Sequence, residues 1–332
     1  MLKFAILAAA AMTVAGSNAQ CAGPRNADDG ARPDPMHQLA WDLAFSANVD
    51  GKCGVWLLSH GQRRLLTQQF ARAESAAWSP DGGRLAFAAK AGAAMEIYVL
   101  TLASRNIRQL TADKGFNDFP AWSPDGRSIA FNSHRQADGG DAANIYVIDA
   151  DGTHERRYTT VLERTEHPTW SPDSNQLAFK ASQTSPKSRG TLLFQSDIFV
   201  GDRNGTHIRK ITKGPALSML PAWSPAGHQI AFCTTDLKRP ESLFDIRIDV
   251  ISDEGTNVRR LARFPYLAQH LSPNWSPDGS QLAFHATETK DDKDWRPNRG
   301  RIFVMNIDGS HLIRLTGADA DEFCPAFRPA PH

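Results

Sequence analysis

The sequence predicts an all-β fold built from repeated four-stranded units, and three observations support this prediction. A five-residue motif recurs along the chain, a short apolar run follows each copy, and a further strand pair follows each run. The copies begin at Trp78, Trp122, Trp170, Trp223 and Trp275. Their spacings of 44, 48, 53 and 52 residues are typical of a β-propeller, in which each repeat forms one blade.

The motif reads Trp-Ser-Pro-Asp-Gly in its complete form, as in residues 78–82, and predicts a hairpin turn. Proline at the second turn position favours a type I turn, and the final glycine accommodates a left-handed conformation. The tryptophan therefore ends one strand and the apolar run begins the next. The runs share one pattern: Leu85-Ala86-Phe87, Ile129-Ala130-Phe131, Leu177-Ala178-Phe179, Ile230-Ala231-Phe232 and Leu282-Ala283-Phe284. Short continuous apolar runs fit strands that are covered on both faces.

A third and a fourth strand complete each unit. The third strands are Ile97–Leu100, Ile145–Ile148, Ile198–Val200, Ile302–Met305 and a looser copy at Ile246–Val250. Turn residues such as Asp151-Gly152 and Asp308-Gly309 follow them, and the fourth strands end in sequences such as Arg314-Leu315-Thr316. The sequence thus predicts four antiparallel strands per blade.

The two ends of the chain predict six blades and a closed ring over residues 39–330. The first unit contains Leu43-Ala44-Phe45 as its second strand but has no Trp-Ser-Pro strand of its own. The C-terminal segment Cys324–Pro329 supplies only that strand. Joined, the two fragments complete one blade, and ring closure removes the exposed edges of an open sheet.

This series of motifs resembles the WD-like repeats of the TolB propeller family over about residues 39 to 330. The resemblance covers the propeller without the N-terminal α/β domain of TolB. It implies a six-bladed propeller that binds an envelope protein or a peptide segment without catalysing a reaction. Similar propellers also form the body of oligogalacturonate lyases, so the resemblance leaves a carbohydrate-active enzyme as an alternative.

The N-terminal residues predict export. Residues 1–19 combine a positive start at Lys3, an apolar run from Phe4 to Val14 and small residues up to Ala19, which is the layout of a secretory signal peptide. Residues 20–38 are rich in Pro, Asp, Gly and Ala and are expected to form a flexible lead-in. We therefore expect a periplasmic or secreted protein.

Composition and cysteine spacing narrow the possible partners. The 37 Lys and Arg residues nearly balance the 36 Asp and Glu residues, so we expect no nucleic-acid partner. No apolar stretch after the signal is long enough for a transmembrane helix.

Attachment of a lipid to Cys21 is an alternative in which the exported protein would be tethered to a membrane. The residues before it, Asn18-Ala19-Gln20, match a lipoprotein signal poorly, which disfavours this alternative. The other cysteines, Cys53, Cys233 and Cys324, have no metal-binding spacing, and the sequence leaves their disulfide pairing open.

The candidate binding residues lie just before the Trp strands. Strand order places the tight turns of all blades on one face and the links between blades on the other, together with long loops near 132–144, 180–197 and 285–301. The polar residues of the links are Glu74, Asp118, Glu166, His167, His270 and Glu322, which we expect at the mouth of the central channel. Such a ring would bind a cation or basic partner residues; alternatively, the carboxylates cap turns and hydrate the channel. His134 and His285, directly after second strands, are further candidates for this mouth.

Catalytic motifs are weak. The sequence contains no Gly-x-Ser-x-Gly elbow and no phosphate-binding glycine loop. Asp149-Ala150-Asp151-Gly152 begins like a calcium loop, but Thr160 occupies the position of the bidentate Glu, so a hairpin turn is the better interpretation. We expect a monomeric protein with no enzymatic activity, cofactor or metal. The lyase alternative would require a metal held by His167, His270 and His285.

Overall fold

The computed structural model describes residues 39–49, 52–113, 115–135, 143–162, 164–183, 195–214, 216–236, 246–264, 271–287, 300–317 and 320–330. These residues form strands, turns and bends, and none of them is helical. The prediction of an all-β fold is therefore confirmed. Within the same ranges, no helix is available that would be long and apolar enough to cross a bilayer.

The strands form antiparallel four-stranded groups, which we number as units 1 to 6. Unit 1 contains β1 (Leu43–Val49), β2 (Lys52–Ser59), β3 (Gln62–Leu65) and β24 (Asp321–Phe327). Unit 2 contains β4 (Ala73–Trp78), β5 (Arg84–Ala91), β6 (Ala94–Thr101) and β7 (Asn106–Gln109). Unit 3 contains β8 (Phe116–Trp122), β9 (Ser128–His134), β10 (Asn144–Asp149) and β11 (Arg156–Arg157).

The other three units have the same order. Unit 4 contains β12 (Thr165–Trp170), β13 (Gln176–Gln183), β14 (Gln195–Asp202) and β15 (Arg209–Lys210). Unit 5 contains β16 (Ala216–Trp223), β17 (Gln229–Asp236), β18 (Ile246–Ser252) and β19 (Arg259–Phe264). Unit 6 contains β20 (Asn274–Trp275), β21 (Gln281–Thr287), β22 (Gly300–Asn306) and β23 (Ile313–Arg314). One parallel bridge joins units 2 and 3, and another joins units 4 and 5.

Unit 1 is assembled from both ends of the chain. The C-terminal strand β24 pairs with β1, and Leu43 lies opposite Phe327 in this pairing. Strand β1 also pairs with β2 along its whole length. The order β24-β1-β2-β3 thus supplies the strand that the N-terminal fragment lacks.

The Ser-Pro-Asp-Gly segments form the predicted hairpin turns. In unit 3, the Gly126 N–H donates to the Ser123 carbonyl over 2.8 Å, and Gly126 has a φ of 70°. The Ser123 hydroxyl donates to Asp125 over 2.5 Å, which fixes the turn from within. Ser174 replaces the glycine in unit 4 and adopts the same left-handed conformation, with a φ of 62°.

The apolar core lies between neighbouring units. In five of the six Leu/Ile-Ala-Phe runs the phenylalanine is completely buried, and each packs among residues of two adjacent units: Phe45, Phe87, Phe131, Phe179 and Phe284. Tryptophans at the ends of the innermost strands also link units. The Trp275 indole N–H donates to the Ala222 carbonyl of unit 5 over 2.9 Å.

The two kinds of tight turn lie at the same end of the strands, as the sequence predicts. In unit 3, the Ala150 N–H, after the third strand, donates over 2.8 Å to the Arg127 carbonyl, after the first strand. We call this end the tight-turn face; it comprises the third-to-fourth strand turns of all six units and the first-to-second strand turns of units 2 to 6. Arg108 clamps neighbouring units there by donating to the carbonyls of Ala150 and Asp151 over 2.7 and 2.6 Å.

The long loops at the opposite end are shorter than the sequence predicts. Strands β9, β13 and β21 continue to His134, Gln183 and Thr287, so part of each expected loop is strand. The remaining segments, 136–142, 184–194 and 288–299, lie outside the described residues.

Candidate functional site

Each innermost strand, or in unit 6 the segment just before it, carries a residue with positive φ three residues before the final aromatic residue of the strand. In β4, β8, β12 and β16, this position coincides with a shift in the pairing with the second strand, as in a β-bulge. The six residues are Ser75, Phe119, His167, Leu220, Ser272 and Cys324, with φ between 36 and 57°. Proline follows in five of the six cases, and alanine follows Ser75.

These bulges surround a cavity of about 110 Å³. Two residues from each innermost strand line it, namely the residue with positive φ and the residue after it. The lining combines proline rings with two hydroxyls, an imidazole, a thiol and the apolar side chains of Phe119 and Leu220. The volume of this cavity is comparable to that of a few water molecules. All six units contribute residues to its lining.

Three carboxylates stand beside this cavity on the neighbouring strands β4, β8 and β12. Glu74 accepts two hydrogen bonds from Arg72, over 2.8 and 3.1 Å. Glu166 forms an ion pair with Lys180 of β13. Asp118 lies between them, is only 8% exposed and accepts a hydrogen bond from the Asn132 amide over 2.9 Å.

The central carboxyl of this group is electrostatically distinct. Burial raises the pKa of Asp118 well above its usual range, and the charges of Glu74 and Glu166 act in the same direction. For Glu166, burial also raises the pKa, but Lys180 and His167 outweigh this effect and leave the pKa lowered. The charge of Asp118 is therefore less compensated by cationic side chains than that of Glu166. A cation beside Asp118 would be favourable.

Histidines adjoin the same group. The backbone N–H of His167 donates to the Asn132 side chain over 2.8 Å, and its ring packs edge-on against Phe119 at 4.6 Å. His134 is the last residue of β9; burial lowers its pKa, although the charge of Glu166 opposes this effect. His285 does not follow its strand but lies within β21.

The predicted residues do not all come together. Glu74, Asp118, Glu166 and His167 lie on adjacent strands, whereas Glu322 is completely buried and pairs with Arg63 over 2.9 Å in unit 1. Burial raises the pKa of Glu322, and Arg63 opposes the shift. His270 lies outside the described residues. Within the described ranges, no three His, Cys, Asp or Glu side chains are grouped in a way that would hold a metal ion.

The ring of bulges was not predicted from the sequence, although the sequence contains a signal for it. A proline stands two residues before the final aromatic residue of five innermost strands: Pro120, Pro168, Pro221, Pro273 and Pro325. The sequence places Cys324 in the C-terminal strand but predicts no role for its side chain. Its thiol lines the cavity 3.9 Å from the Ser272 hydroxyl, and burial raises its pKa to about 12.

Repeated four-stranded antiparallel units around a shared cavity define the chain as a β-propeller protein. The model of the TolB beta propeller domain matches residues 38–189 and 187–331. Because these matches cover nearly the whole chain, the protein belongs to the TolB β-propeller domain family, as the sequence motifs indicate.

Individual relatives agree with this assignment. The chain is 29% identical over 266 residues to the uncharacterized protein Atu1656 of Agrobacterium fabrum, covering 78% of this chain and 69% of the relative. The crystal structure of TolB from Acinetobacter baumannii superposes with a TM-score of 0.70 at 20% identity, covering 88% of this chain and 67% of that one. An oligogalacturonate lyase in complex with manganese superposes with a TM-score of 0.54 at 17% identity, covering 82% and 73%. These likenesses to solved structures show the fold alone.

Proposed function

We propose that the chain is an exported, non-enzymatic propeller of six blades, and that it binds an envelope protein or a peptide segment at the central channel. The signal-like residues 1–19 support export to the periplasm or beyond. The family assignment supports the propeller body.

Contacts between units support a closed ring of six blades. The innermost strands contact one another in the order β4, β8, β12, β16, β20 and β24, and β24 contacts β4 in turn. Strand β24 also pairs with β1. In a closed ring the innermost strands are held on both sides, which suits a rigid platform for binding.

The observation that carries the binding proposal is the cavity to which all six units contribute, with three carboxylates beside it. Among these, Asp118 is the carboxyl to which no cationic side chain of the described residues is paired by hydrogen bond or ion pair. A basic side chain or a terminal amine of a partner would supply that charge. We propose Glu74, Asp118, Glu166 and His167 as the binding residues, while His270 and Glu322 belong to the set by sequence position alone.

A pair of Ala→Trp variants tests the location of the binding surface. Ala76 lines the cavity, so Ala76→Trp would fill it, whereas Ala226 is exposed in a tight turn on the other face. Both variants and the intact protein are used to capture partners from envelope extract. We expect Ala76→Trp to lose the captured partner and Ala226→Trp to retain it. Identical capture by all three proteins would contradict the channel as the site, and absence of any captured partner would contradict a scaffold role.

A charge-neutral variant tests the role of the carboxylates. Asp118→Asn keeps the acceptor for Asn132 but removes the charge, so we expect partner affinity to fall about ten- to a hundredfold, which corresponds to ~1.5–3 kcal/mol for a hydrogen bond to a charged group. The sensitivity of binding to salt should fall as well. Unchanged affinity would remove Asp118 from the site.

A carbohydrate-lyase activity is the outcome that would replace this proposal. Metal analysis of the purified protein and an assay for unsaturated products from acidic oligosaccharides test it directly. Bound metal together with unsaturated product would favour a lyase that uses His167, His270 and His285.

A further inference from the structure

The tight-turn face carries a cavity at the junction between units 3 and 4, which we call the junction cavity. It has a volume of about 620 Å³ and is open to solvent. Its lining comes from both tight turns of unit 4 and from Arg156, the first residue of β11 in unit 3. Sites for small ligands commonly have volumes of about 300–1,000 Å³, so the junction cavity is large enough to hold one.

Arg203 forms part of the lining and is held in place by unit 3. Its guanidinium donates to Asp125 and Ser128 over 2.7 and 2.9 Å and lies over the Trp170 ring, 5.3 Å from the centroid. The positive charge of Arg203 is therefore already paired. Units 2, 3, 5 and 6 have no arginine at the corresponding position, where they carry Leu102, Ala150, Asp253 and Ile307. This arginine therefore distinguishes the turn of unit 4 from theirs.

Arg156 brings a guanidinium whose hydrogen-bonding capacity is mostly unused. It donates to the Arg203 carbonyl over 2.8 Å, which is its one hydrogen bond to the part of the chain that the structure describes. Arg108, at the equivalent position of unit 2, donates to two carbonyls of unit 3. A guanidinium carries several N–H donors in a planar fork that matches a carboxylate. Arg156 can therefore bind a carboxylate of a ligand.

Two carboxylates from unit 4 line the same cavity. Asp173 accepts hydrogen bonds from the Ser171 hydroxyl and the Asn175 N–H over 2.5 and 3.0 Å. The Asp202 carboxylate lies 2.6 Å from His207 Nδ1. The hydrogen bond from Ser171 lowers the pKa of Asp173. His207 lowers the pKa of Asp202 in the same way, so both carboxylates are ionised near neutral pH.

The charges of opposite sign in the junction cavity are not paired with one another. Within the described residues, no ion pair joins Arg156 to Asp173 or Asp202. Arg156 belongs to unit 3, whereas both carboxylates belong to unit 4. The cavity thus offers a ligand a cation from one unit and two anions from the other.

The charged residues that flank Arg156 in the sequence are engaged elsewhere. Glu155 pairs with Arg135 over 2.7 Å, and Arg157 donates to the Asn144 side chain over 2.9 Å. The other guanidinium of the lining is already paired with unit 3. One guanidinium, two carboxylates and the imidazole of His207 therefore determine the charge that a ligand meets.

This arrangement favours a ligand that carries both signs of charge. A simple anion would be attracted by Arg156 but repelled by the carboxylates, and the reverse holds for a simple cation. A ligand with a carboxylate at one end and an ammonium group at the other satisfies both. The neutral part of the lining consists of the amide side chains of Asn175, Gln176 and Asn204. A peptide group offers such amides one donor and one acceptor.

We propose that the junction cavity binds a short peptide whose amino and carboxyl termini are both free. Arg156 holds the carboxylate in a bidentate contact, and Asp173 and Asp202 accept the ammonium group. The cavity belongs to the tight-turn face, so this inference does not depend on the function proposed for the channel.

Isothermal titration calorimetry with diglycine tests the proposal. The matched probes are N-acetyl-diglycine, which lacks the ammonium group, and diglycine amide, which lacks the carboxylate. We expect diglycine to bind and each blocked peptide to bind at least about tenfold more weakly, because each has lost one charge-assisted contact. Added salt should weaken the binding of diglycine.

Variants assign the two ends of the ligand. Arg156→Gln should bind diglycine at least about tenfold more weakly than the wild type, and should no longer distinguish it from diglycine amide. Asp173→Asn keeps an acceptor for the turn and should weaken the binding of diglycine but not that of N-acetyl-diglycine. Arg108→Gln and Asp278→Asn change the equivalent positions of units 2 and 6. These two controls should bind diglycine as the wild type does.

Three results would overturn the proposal. These are no binding of diglycine to the intact protein, equal binding of diglycine and both blocked peptides, and equal losses in Arg156→Gln and Arg108→Gln. The last result would show that Arg156 acts only by joining units. Melting temperatures confirm that each variant is folded. The measurement needs no channel partner, so failure here is distinguishable from failure of the capture experiment.

Discussion

At the scale of single residues, Asp118 shows how burial sets the chemistry of the channel. Its carboxyl is surrounded by two other carboxylates and a neutral amide, whereas Glu74 and Glu166 each have a cationic side chain of their own. Binding sites commonly retain such unfavourable groups because a ligand relieves them. In the proposed function, Asp118 is thus the carboxyl with most to gain from a cationic partner.

Asp118→Asn should stabilise the free protein at neutral pH. Because burial raises the pKa of Asp118 in the folded state, the folded protein holds a proton that the unfolded chain releases near pH 4. Stability therefore falls as the pH rises above that value. We expect the variant to melt above the wild type at pH 7.5, by about 2–4 °C for each kcal/mol gained, with a smaller difference near pH 4.

Asp278→Asn is a control for which we expect the opposite change in stability at neutral pH. The Ser276 hydroxyl lowers the pKa of Asp278, so this carboxylate contributes stability above the unfolded pKa that is lost as the pH falls through its folded value. The variant should melt below the wild type at pH 7.5 and approach it in acid. A lower melting temperature of Asp118→Asn at pH 7.5 would contradict the assignment of an unfavourable charge.

Alanine substitutions at Gly205 and Gly227 distinguish the cost of an unfavourable backbone conformation from the cost of a steric clash. Both glycines have a φ of about +80°, so alanine at either costs about 1–2 kcal/mol. A Cβ at Gly205 would lie 1.8 Å from the Tyr158 carbonyl of unit 3, whereas one at Gly227 would meet nothing within 4 Å. We expect Gly205→Ala to lower the free energy of unfolding by more than about 3 kcal/mol, measured by denaturant titration. If both variants lost the same free energy of unfolding, the backbone at the junction between units 3 and 4 would have to move aside for the added Cβ at little cost.

The candidate site was predictable in position but not in detail. Sequence spacing placed Glu74, Asp118 and Glu166 at one level of the innermost strands, and they do adjoin one another. Glu322, which we predicted at the same site, lies five rather than four residues before the final aromatic residue of its strand. Because successive side chains of a strand point to opposite faces, Glu322 does not join the other carboxylates and pairs with Arg63 instead. Two residues share the site only where their positions in the repeat match.

At the scale of elements, the recurring residues mostly hold strands and units together. The Thr of the fourth-strand motif accepts a backbone N–H of the third strand: Thr67 from Val55, Thr111 from Ile97, Thr212 from Ile198 and Thr316 from Ile302, over 2.9 to 3.0 Å. Because this hydroxyl replaces a lost ladder bond, the fourth strand can end there. The motif was visible in the sequence, but its acceptor role requires the strand register.

Arg328, just after the C-terminal strand, connects units 1 and 2. Its guanidinium bonds to Asp42 of unit 1 and to the Gly82 carbonyl of unit 2, and it stacks on Trp78 with a centroid distance of 5.3 Å. We expect Arg328→Ala to lower the free energy of unfolding by about 1–2 kcal/mol, allowing for the partial exposure of these bonds. Arg64→Ala, at an exposed position of β3, should change it by less than about 0.5 kcal/mol. Similar losses in both variants would contradict the clamp.

At the scale of the whole molecule, the repeat predicted more of the fold than composition did. A recurring Trp strand, turn and apolar run fixed the strand order in every unit, because each hydrophobic triplet must be covered by its neighbours. Loop lengths were less predictable, since strands such as β13 continue past the apolar run with alternating polar residues that resemble a loop. The sharing of unit 1 between the two ends was predictable from the missing strand.

We expect the C-terminal residues to be essential to the whole fold, because they complete the shared unit. Deleting residues 322–332 would remove most of β24, leaving β1 paired only with β2 and uncovering Phe45 and Trp78. Burial of one large apolar side chain is worth about 1.5–3 kcal/mol, and the loss would fall on both neighbouring units. We expect the melting temperature to drop by more than about 5 °C and the transition to broaden if the six units form the proposed closed ring. Deleting only residues 331–332 is the control and should change neither property. An unchanged, sharp transition in the longer deletion would show that the six units are stable as an open arc, and would leave the channel without a fixed wall on that side.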